Sequence, residues 1–272
     1  MLYSAQMEDR QLFKRGFSIN SVPHWPCPKC GAPISLVKES FSKFETAESK
    51  RNSRDGEWGP ECIELHFIAT FRCSSTHCYE KFVVCGSGSA EPDYHQDEDG
   101  NYCQAWEEFF VPDFFTPPLH LFKISADVPE EVRTEVIASF RLFFCDTDAA
   151  GNHLRCSVEF LLDHLRVPRA RNHKTKRKRI RLPLQARIES LPLRFSETKE
   201  RLSALRWLGN TGSHSGISLT QDDVLDGYVI MEDILREIFT PSEAKDIAKR
   251  INKQKGPQKK RVKTTRAKRS KP

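Results

Sequence analysis

Two closely spaced cysteine pairs constrain this chain more than any other feature. The first is Cys27-Pro-Lys-Cys30 followed by Gly31, and the second is Cys73-Ser-Ser-Thr-His-Cys78. Four thiolates in a tetrahedral arrangement suit structural zinc and leave no open coordination position. The spacing therefore predicts one structural zinc ion held by Cys27, Cys30, Cys73 and Cys78. The alternative ligands, which have no closely spaced partner, are Cys62, Cys85, Cys103 and His77.

The segment around these cysteines predicts a small β domain. Between Ile63 and Phe71 apolar residues alternate with mostly polar ones, which is typical of a strand with one buried face. Residues 81–85 predict a second strand, and a cysteine knuckle between two strands is how a zinc ribbon is built. Residues 38–59 are polar and charged, so we expect a long mobile loop. Residues 112–118 predict an extended linker, because each proline disfavours helix at the residue before it.

After residue 128 the apolar residues recur every three or four positions, as in amphipathic helices. The predicted helices begin near residues 128 and 148, cover about 183–191, 197–208 and 221–239, and end with a short helix opened by Pro241. The fold class is therefore α+β, with a small zinc-ribbon-like β domain, an all-α helical bundle and a disordered basic tail. The predicted divisions are a lead-in at 1–19, the zinc-ribbon-like domain at 20–111, a proline- and aromatic-rich linker at 112–127, the helical bundle at 128–252 and the tail at 253–272.

Charge is distributed unevenly along the chain, although its formal net value is only +6. Residues 249–272 contain 12 Lys or Arg and no acid, and residues 166–181, which we expect to form a loop, contain 9 more. The rest of the chain has 22 basic and 37 acidic residues, so two basic segments are attached to an acidic body. Such segments attract polyanions by neutralising phosphates and releasing counterions, or they serve only as solvated ends. The sequence has neither a transmembrane segment nor an export signal, so a cytoplasmic protein is expected.

A second constellation lies in the stretch RWLGNTGSH, from Arg206 to His214. We expect Gly209 and Gly212 to break the preceding helix, so that Asn210 and His214 lie on a loop. An arginine can neutralise a phosphate through two hydrogen bonds, and a histidine can transfer a proton near neutral pH. Arg206, Asn210 and His214 are therefore candidate catalytic residues. In the alternative interpretation Asn210 caps a helix or holds a turn, and His214 is a hydrogen-bonded core residue.

Several stretches within roughly residues 22–240 carry a resemblance to a known family. They are Pro26–Gly31, Phe115–Pro118, Val128–Val132, Leu154-Arg155 with Glu159–Leu162, Leu205–Asn210 with His214, and Asp222-Asp223. The chain resembles the domain-of-unknown-function-4145 family of prokaryotic proteins, which pairs a zinc-ribbon-like segment with a helical domain. That helical domain looks like a relative of the HEPN superfamily, many of whose members are metal-independent RNases of toxin and anti-phage systems. They use an arginine followed a few residues later by a histidine, often paired across a dimer.

The resemblance implies association with defence systems and a homodimer formed through the helical domain. This chain departs from the RNase pattern, because seven residues separate Arg206 from His214 and Trp207 replaces the usual polar residue. Three interpretations follow: a nucleic-acid-binding module, with RNA favoured over DNA; a metal-independent endoribonuclease or toxin-like effector; and a protein-interaction scaffold. The candidate nucleic-acid-binding residues are Arg169, Arg171, Lys174, Lys176, Arg177, Lys178, Arg179, Lys259, Lys260 and Arg261.

Overall fold

The computed structural model describes residues 10–14, 16–54, 56, 58–96, 100, 102–172, 178–214, 218–240 and 243–254. An antiparallel sheet in the N-terminal half is followed by packed helices, which confirms the predicted α+β class. Within these ranges no helix is long and apolar enough to cross a membrane. Beyond Gln254 the predicted disordered tail lies outside the described residues.

The sheet is built from five antiparallel strands: β1 (Ile34–Leu36), β2 (Ser42–Glu45), β3 (Glu64–Cys73), β4 (Lys81–Gln96) and β5 (Tyr102–Thr116). Their order is β1-β3-β4-β5, and β2 also pairs with β3. Strand β3 buries every second residue, including Leu65, Phe67 and Phe71, as its two-residue period predicted. Strands β4 and β5 are much longer than the predicted short strand. Beyond Ser89, where pairing with β3 ends, they continue as a two-stranded ribbon formed by residues 90–96 and 102–108.

The helices of the described part are α1 (Gln11–Lys14), α2 (Ala47–Asn52), α3 (Glu130–Leu142), α4 (Thr147–His164), α5 (Leu184–Glu189), α6 (Ser196–His214), α7 (Gln221–Phe239) and α8 (Glu243–Gln254). Short 3-10 turns lie at Lys38–Ser40, Pro60–Cys62 and Leu193–Phe195. Helices α3, α4 and α7 bury the apolar faces that the helical period predicted. A capping box formed by Thr220 and Asp223 begins α7, which satisfies backbone amides that have no partner within the helix.

The polar segment 38–59, which the sequence predicted to be a mobile loop, contains regular structure. Its first part forms a 3-10 turn and strand β2, and its second part contains helix α2. Thr46 caps α2, because its hydroxyl accepts a hydrogen bond from the Ser49 amide at 3.1 Å. The prediction failed because β2 lies at the edge of the sheet with most of its residues exposed, so its sequence lacks apolar alternation.

The predicted linker at 112–127 begins with the end of strand β5, which runs on to Thr116. Pro112 can lie in this strand because the register shifts between Cys85 and Gly86, where β5 carries an extra residue. Gly86 permits this bulge, since a Cβ at that position would lie 2.0 Å from the Val111 carbonyl oxygen. The prolines therefore mark an irregular strand and not a linker at this point.

Two predictions for the helical region are wrong in detail. The described ends of the predicted basic loop at 166–181 pair as a hairpin of β6 (Ala170–Asn172) and β7 (Arg179–Arg181). Gly209 and Gly212 do not end the preceding helix, because α6 continues to His214. Gly209 lies where α6 crosses α4, and its missing side chain allows the two helices to approach closely.

One apolar core extends through the sheet and the helices. Phe115 of β5 contacts Phe144 with ring centroids 4.9 Å apart. The predicted lead-in also joins the core, since Phe13 and Phe17 are buried. Arg10 pairs with Asp226 of α7 at 2.5 Å, which further ties this segment to the helical bundle.

Candidate metal centre and arginine pocket

The first cysteine pair lies on a tight turn before β1. The Gly31 amide donates to the Cys27 carbonyl oxygen at 2.8 Å, and Gly31 adopts a φ of 77°. That left-handed conformation is readily accessible to glycine. The turn therefore brings the Cys27 and Cys30 side chains to one side of the chain.

The second cysteine pair lies between β3 and β4. Cys73 is the last residue of β3, and Cys78 follows in the turn that leads to β4. The Cys27 and Cys78 sulfurs are 3.7 Å apart, and the Cys30 and Cys73 sulfurs are 3.4 Å apart. All four sulfurs lie within 4.8 Å of one another. A tetrahedral ion with metal–sulfur bonds of about 2.3 Å needs sulfurs about 3.8 Å apart, so the four thiols fit one such ion.

The environment of these thiols affects their protonation. Burial raises the pKa of the Cys27 thiol, and burial raises the pKa of Cys73 to about 12. A backbone hydrogen bond from Ala32 lowers the pKa of Cys30. An ion that binds here must therefore displace protons from the two buried thiols. Among the described residues none of the alternative ligands joins this group.

An arginine-rich cavity of about 450 Å³ lies where α4, α5 and α6 meet the β6–β7 hairpin. Five arginines and a single glutamate line it, so its formal charge is strongly positive. An apolar wall is formed by residues 182–184, and two amide side chains complete the lining. We call this cavity the arginine pocket. Its polar lining residues are Arg155, Glu159, Arg169, Arg181, Gln185, Arg187, Arg206 and Asn210.

Acidic groups hold some of these arginines in place. Arg155 donates to Glu159 of the same helix at 2.6 Å. Arg187 is only 3% exposed and donates to Asp163 at 2.6 Å. Arg169 also donates to Asp163, from Nε to Oδ1 at 2.9 Å. The hydrogen bond from Arg169, together with the charge of Arg187, lowers the pKa of Asp163, so this carboxyl group is ionised at neutral pH.

Other polar atoms of the pocket have no hydrogen-bond partner. In the described part of the chain five buried side-chain nitrogen or oxygen atoms are unpartnered. Three of them belong to pocket residues: Nε of Arg187, Nε of Arg206 and Oε1 of Gln185. An unpartnered buried polar atom costs about 1–3 kcal/mol, which a ligand with complementary groups can offset. The two N–H groups require acceptors, and the Gln185 oxygen requires a donor.

Close packing of helices brings the pocket residues together. A Cβ on Gly209 would lie 2.4 Å from the Arg155 Cβ and 2.8 Å from the Gly151 carbonyl oxygen. Because position 209 is glycine, α4 and α6 approach closely enough for Arg155 and Arg206 to line one cavity. The Arg206 guanidinium also stacks on Trp207, 3.9 Å from the ring centroid.

The structure brings together only some of the predicted functional residues. Arg206, Asn210 and Arg169 share the arginine pocket. The chain reversal that was expected to bring His214 to Arg206 is wrong, since both lie on α6 about 12 Å apart along the helix axis. Arg171 and Arg179 lie on the two strands of the exposed hairpin, opposite Ile180 and Asn172 respectively, and Lys178 precedes Arg179. The predicted contacts at Lys174, Lys176, Arg177, Lys259, Lys260 and Arg261 lie outside the described residues.

Sequence reasoning missed most of the arginine pocket. Arg155, Arg181, Gln185 and Arg187 were not candidate site residues, because they lie on separate elements and form no motif together. A usable signal was Gly209, whose position inside an apolar helical period indicates close helix packing and not a helix end.

The fold and these two sites define an α+β protein that joins a four-cysteine sheet to an arginine-lined helical region. The family model described as Domain of unknown function (DUF4145) matches residues 138–255. The helical region of the chain therefore belongs to the DUF4145 family. A separate model, described as Domain of unknown function (DUF8608), matches residues 15–115. The DUF4145 match therefore covers fewer residues than the stretch of roughly 22–240 over which the sequence resembled this family. Neither a curated protein nor a solved structure matches the chain.

Proposed function

We propose that this protein binds nucleic acid, RNA in preference to DNA, with one phosphate seated in the arginine pocket. The observation that carries the proposal is the convergence of five arginines with unpartnered buried donors in one cavity. Phosphate oxygens are acceptors for such donors, and arginine binds them in two-pronged fashion.

The surroundings of the arginine pocket support a polymeric ligand. The β6–β7 hairpin leads away from Arg181 at the pocket and exposes Arg171 and Arg179. Each further phosphate contact adds affinity by releasing counterions. A chain of phosphates can therefore run from the pocket along the hairpin, with the basic C-terminal segment adding contacts.

The preference for RNA rests on the acceptor at Gln185. Its Nε2 donates to Glu189 at 2.7 Å, which leaves Oε1 buried and unpartnered. A ribose 2′-hydroxyl supplies the missing donor, and a deoxyribose does not. Asn210, which also lines the cavity, adds a second amide for base or sugar contacts.

The ion at the cysteine cluster is zinc in this proposal, and its role is structural. Four sulfur ligands favour zinc among common divalent ions and leave no position for a reacting molecule. The ion joins the turn before β1 to the end of β3, so its binding contributes to folding of the sheet. The zinc-ribbon-like description of this region rests on the same ligand pattern.

A second proposal, which rests on the HEPN resemblance, is that Arg206 and His214 cleave RNA. The same resemblance supports a role in defence and a homodimer formed through the helical domain. The two positions lie two helical turns apart, so a partner subunit or a further group must complete such a site. Because the attacking group would be the RNA 2′-hydroxyl, products would carry a 2′,3′-cyclic phosphate and DNA would resist cleavage.

Fluorescence anisotropy with single-stranded RNA and DNA of the same sequence tests the proposal. Arg206→Gln should weaken RNA binding by about tenfold to a hundredfold, since a charge-assisted hydrogen bond contributes roughly 1.5–3 kcal/mol. Arg194→Gln is the matched control, because Arg194 is exposed and also stacks on the next aromatic residue, Phe195. It should change the affinity by less than about twofold. Equal effects of the two variants would contradict the proposal.

The same samples distinguish the finer claims. Gln185→Met should reduce the ratio of RNA to DNA affinity while leaving DNA binding unchanged. Gel analysis of the RNA after incubation detects cleavage, and His214→Ala should abolish it if the second proposal holds. If the wild-type protein binds RNA without cleaving it, the binding proposal stands and the cleavage proposal is wrong.

A further inference from the structure

The face of the sheet opposite its buried core carries large apolar side chains. Phe44, Ile68, Val83, Val111 and Phe114 are each 46–58% exposed, and they come from strands β2 to β5. The register places them side by side, because Cys85 pairs with both Ile68 and Phe114. Together they expose roughly 400 Å² of apolar surface, a patch size that is often functional on a soluble protein. We call this surface the outer face.

Charges are ordered along the outer face. At one end Arg72 and Lys81 lie opposite each other in the β3–β4 register, and both are exposed. At the other end Glu64 begins β3. Further along the ribbon, Glu91 and Glu107 form an exposed pair on the same side as Val83 and Val111 by strand alternation. The apolar patch therefore lies between a basic end and an acidic end.

We propose that the outer face binds the outer face of a second copy of this chain. A two-fold axis that lies between two stacked sheets and runs perpendicular to the strands reverses the strand direction of one copy relative to the other. In that stacked arrangement the basic end of each copy covers the acidic end of the other, and the apolar patches meet at the centre.

The distances and charges are compatible with such an isologous pair. Glu64 and Arg72 both face outward on β3 and are separated by about 27 Å of extended chain. When the strands of the two copies run in opposite directions, Glu64 of each copy therefore lies opposite Arg72 of the other. A nucleic-acid strand is disfavoured on this face, because its phosphates would meet Glu64, Glu91 and Glu107. The inference is independent of the proposed nucleic-acid binding and involves a different surface from the helical-domain dimer.

Sedimentation equilibrium of the full chain over a range of concentrations tests the inference. Glu64→Lys and Arg72→Glu should each weaken dimerisation about tenfold or more, because each places like charges together twice in the pair. The double variant carrying both changes should recover an affinity within about threefold of the wild type, since it restores opposite charges. Rescue of this kind requires the proposed antiparallel contact.

Apolar substitutions provide a second readout. Phe114→Asp should abolish the dimer, whereas Leu193→Asp, at an 88% exposed residue away from the sheet, should leave it unchanged. Circular dichroism confirms that each variant is folded. A wild-type protein that remains monomeric at about 100 µM would overturn the inference. Failure of the double variant to recover the wild-type dimer affinity would also overturn it. If the protein is monomeric and Phe114→Asp weakens its RNA binding, the outer face contacts nucleic-acid bases and the inference is likewise wrong.

Discussion

Gly209→Ala tests how helix packing builds the arginine pocket. The new Cβ would lie 2.4 Å from the Arg155 Cβ and 2.8 Å from the Gly151 carbonyl oxygen, where ordinary contacts are about 3.5–4.0 Å. Helices α4 and α6 must therefore separate by about 1 Å. Overpacking of this kind costs about 1–3 kcal/mol, and the better helix propensity of alanine returns about 1 kcal/mol. We expect a net loss of up to about 2 kcal/mol in the free energy of unfolding.

Gly227→Ala is the matched control, because Gly227 also lies inside a helix of the bundle. Its new Cβ would meet the methyl ends of Leu154 and Leu208 at 2.8 and 3.2 Å, and such flexible side chains can move aside. Urea unfolding followed by circular dichroism should give a smaller loss for this variant. RNA affinity should fall only for Gly209→Ala, since it alone displaces Arg155 from Arg206. A Gly209→Ala protein as stable as Gly227→Ala would refute this reasoning.

Three further predictions concern the metal centre and the core. Cys78→Ala should lose about one equivalent of zinc in metal analysis and lower the melting temperature, whereas alanine at the exposed Cys62 should change neither; equal metal content in both variants would contradict the centre. Asp163→Asn should lower the free energy of unfolding by about 3 kcal/mol at pH 7, because it leaves the charge of Arg187 unpaired. Because the folded-state pKa of Asp163 is lowered, this difference from wild type should shrink as the pH falls below about 4. A difference that grows in acid would show that this ion pair is not the cause. Tyr228→Phe should lower the free energy of unfolding by about 1 kcal/mol. Ser139→Ala should lower it more, because the buried Tyr228 hydroxyl and the buried Ala150 carbonyl oxygen both lose their hydrogen bond to the Ser139 hydroxyl. The reverse order in urea unfolding would contradict this hydrogen-bond pattern.

Local patterns predicted the elements whose structure depends on burial of one face. The alternation in β3 and the helical period in α3, α4 and α7 reflect apolar residues that the core buries. The cysteine spacing likewise identified the four residues that the structure brings together. Such features are written within short stretches, so the sequence alone reveals them.

Features that depend on tertiary contacts were not predictable in this way. Gly209 looked like a helix end, because the cost of a mid-helix glycine is visible in the sequence and its contact with Arg155 is not. Strand β2 exists because it pairs with β3, and its own residues carry no apolar pattern. The arginine pocket combines residues from α4, α5, α6 and the hairpin, whose proximity only the packed fold determines.

The salt dependence of RNA binding tests the central claim most directly. Each phosphate neutralised on a single strand contributes about 0.7 to the slope of the logarithm of affinity against the logarithm of salt concentration. If Arg181 and Arg206 together neutralise the one phosphate seated in the arginine pocket, replacing both with glutamine should reduce the magnitude of that slope by about 0.7, and Arg194→Gln should leave it unchanged. An unchanged slope in the double variant would contradict a phosphate in the arginine pocket.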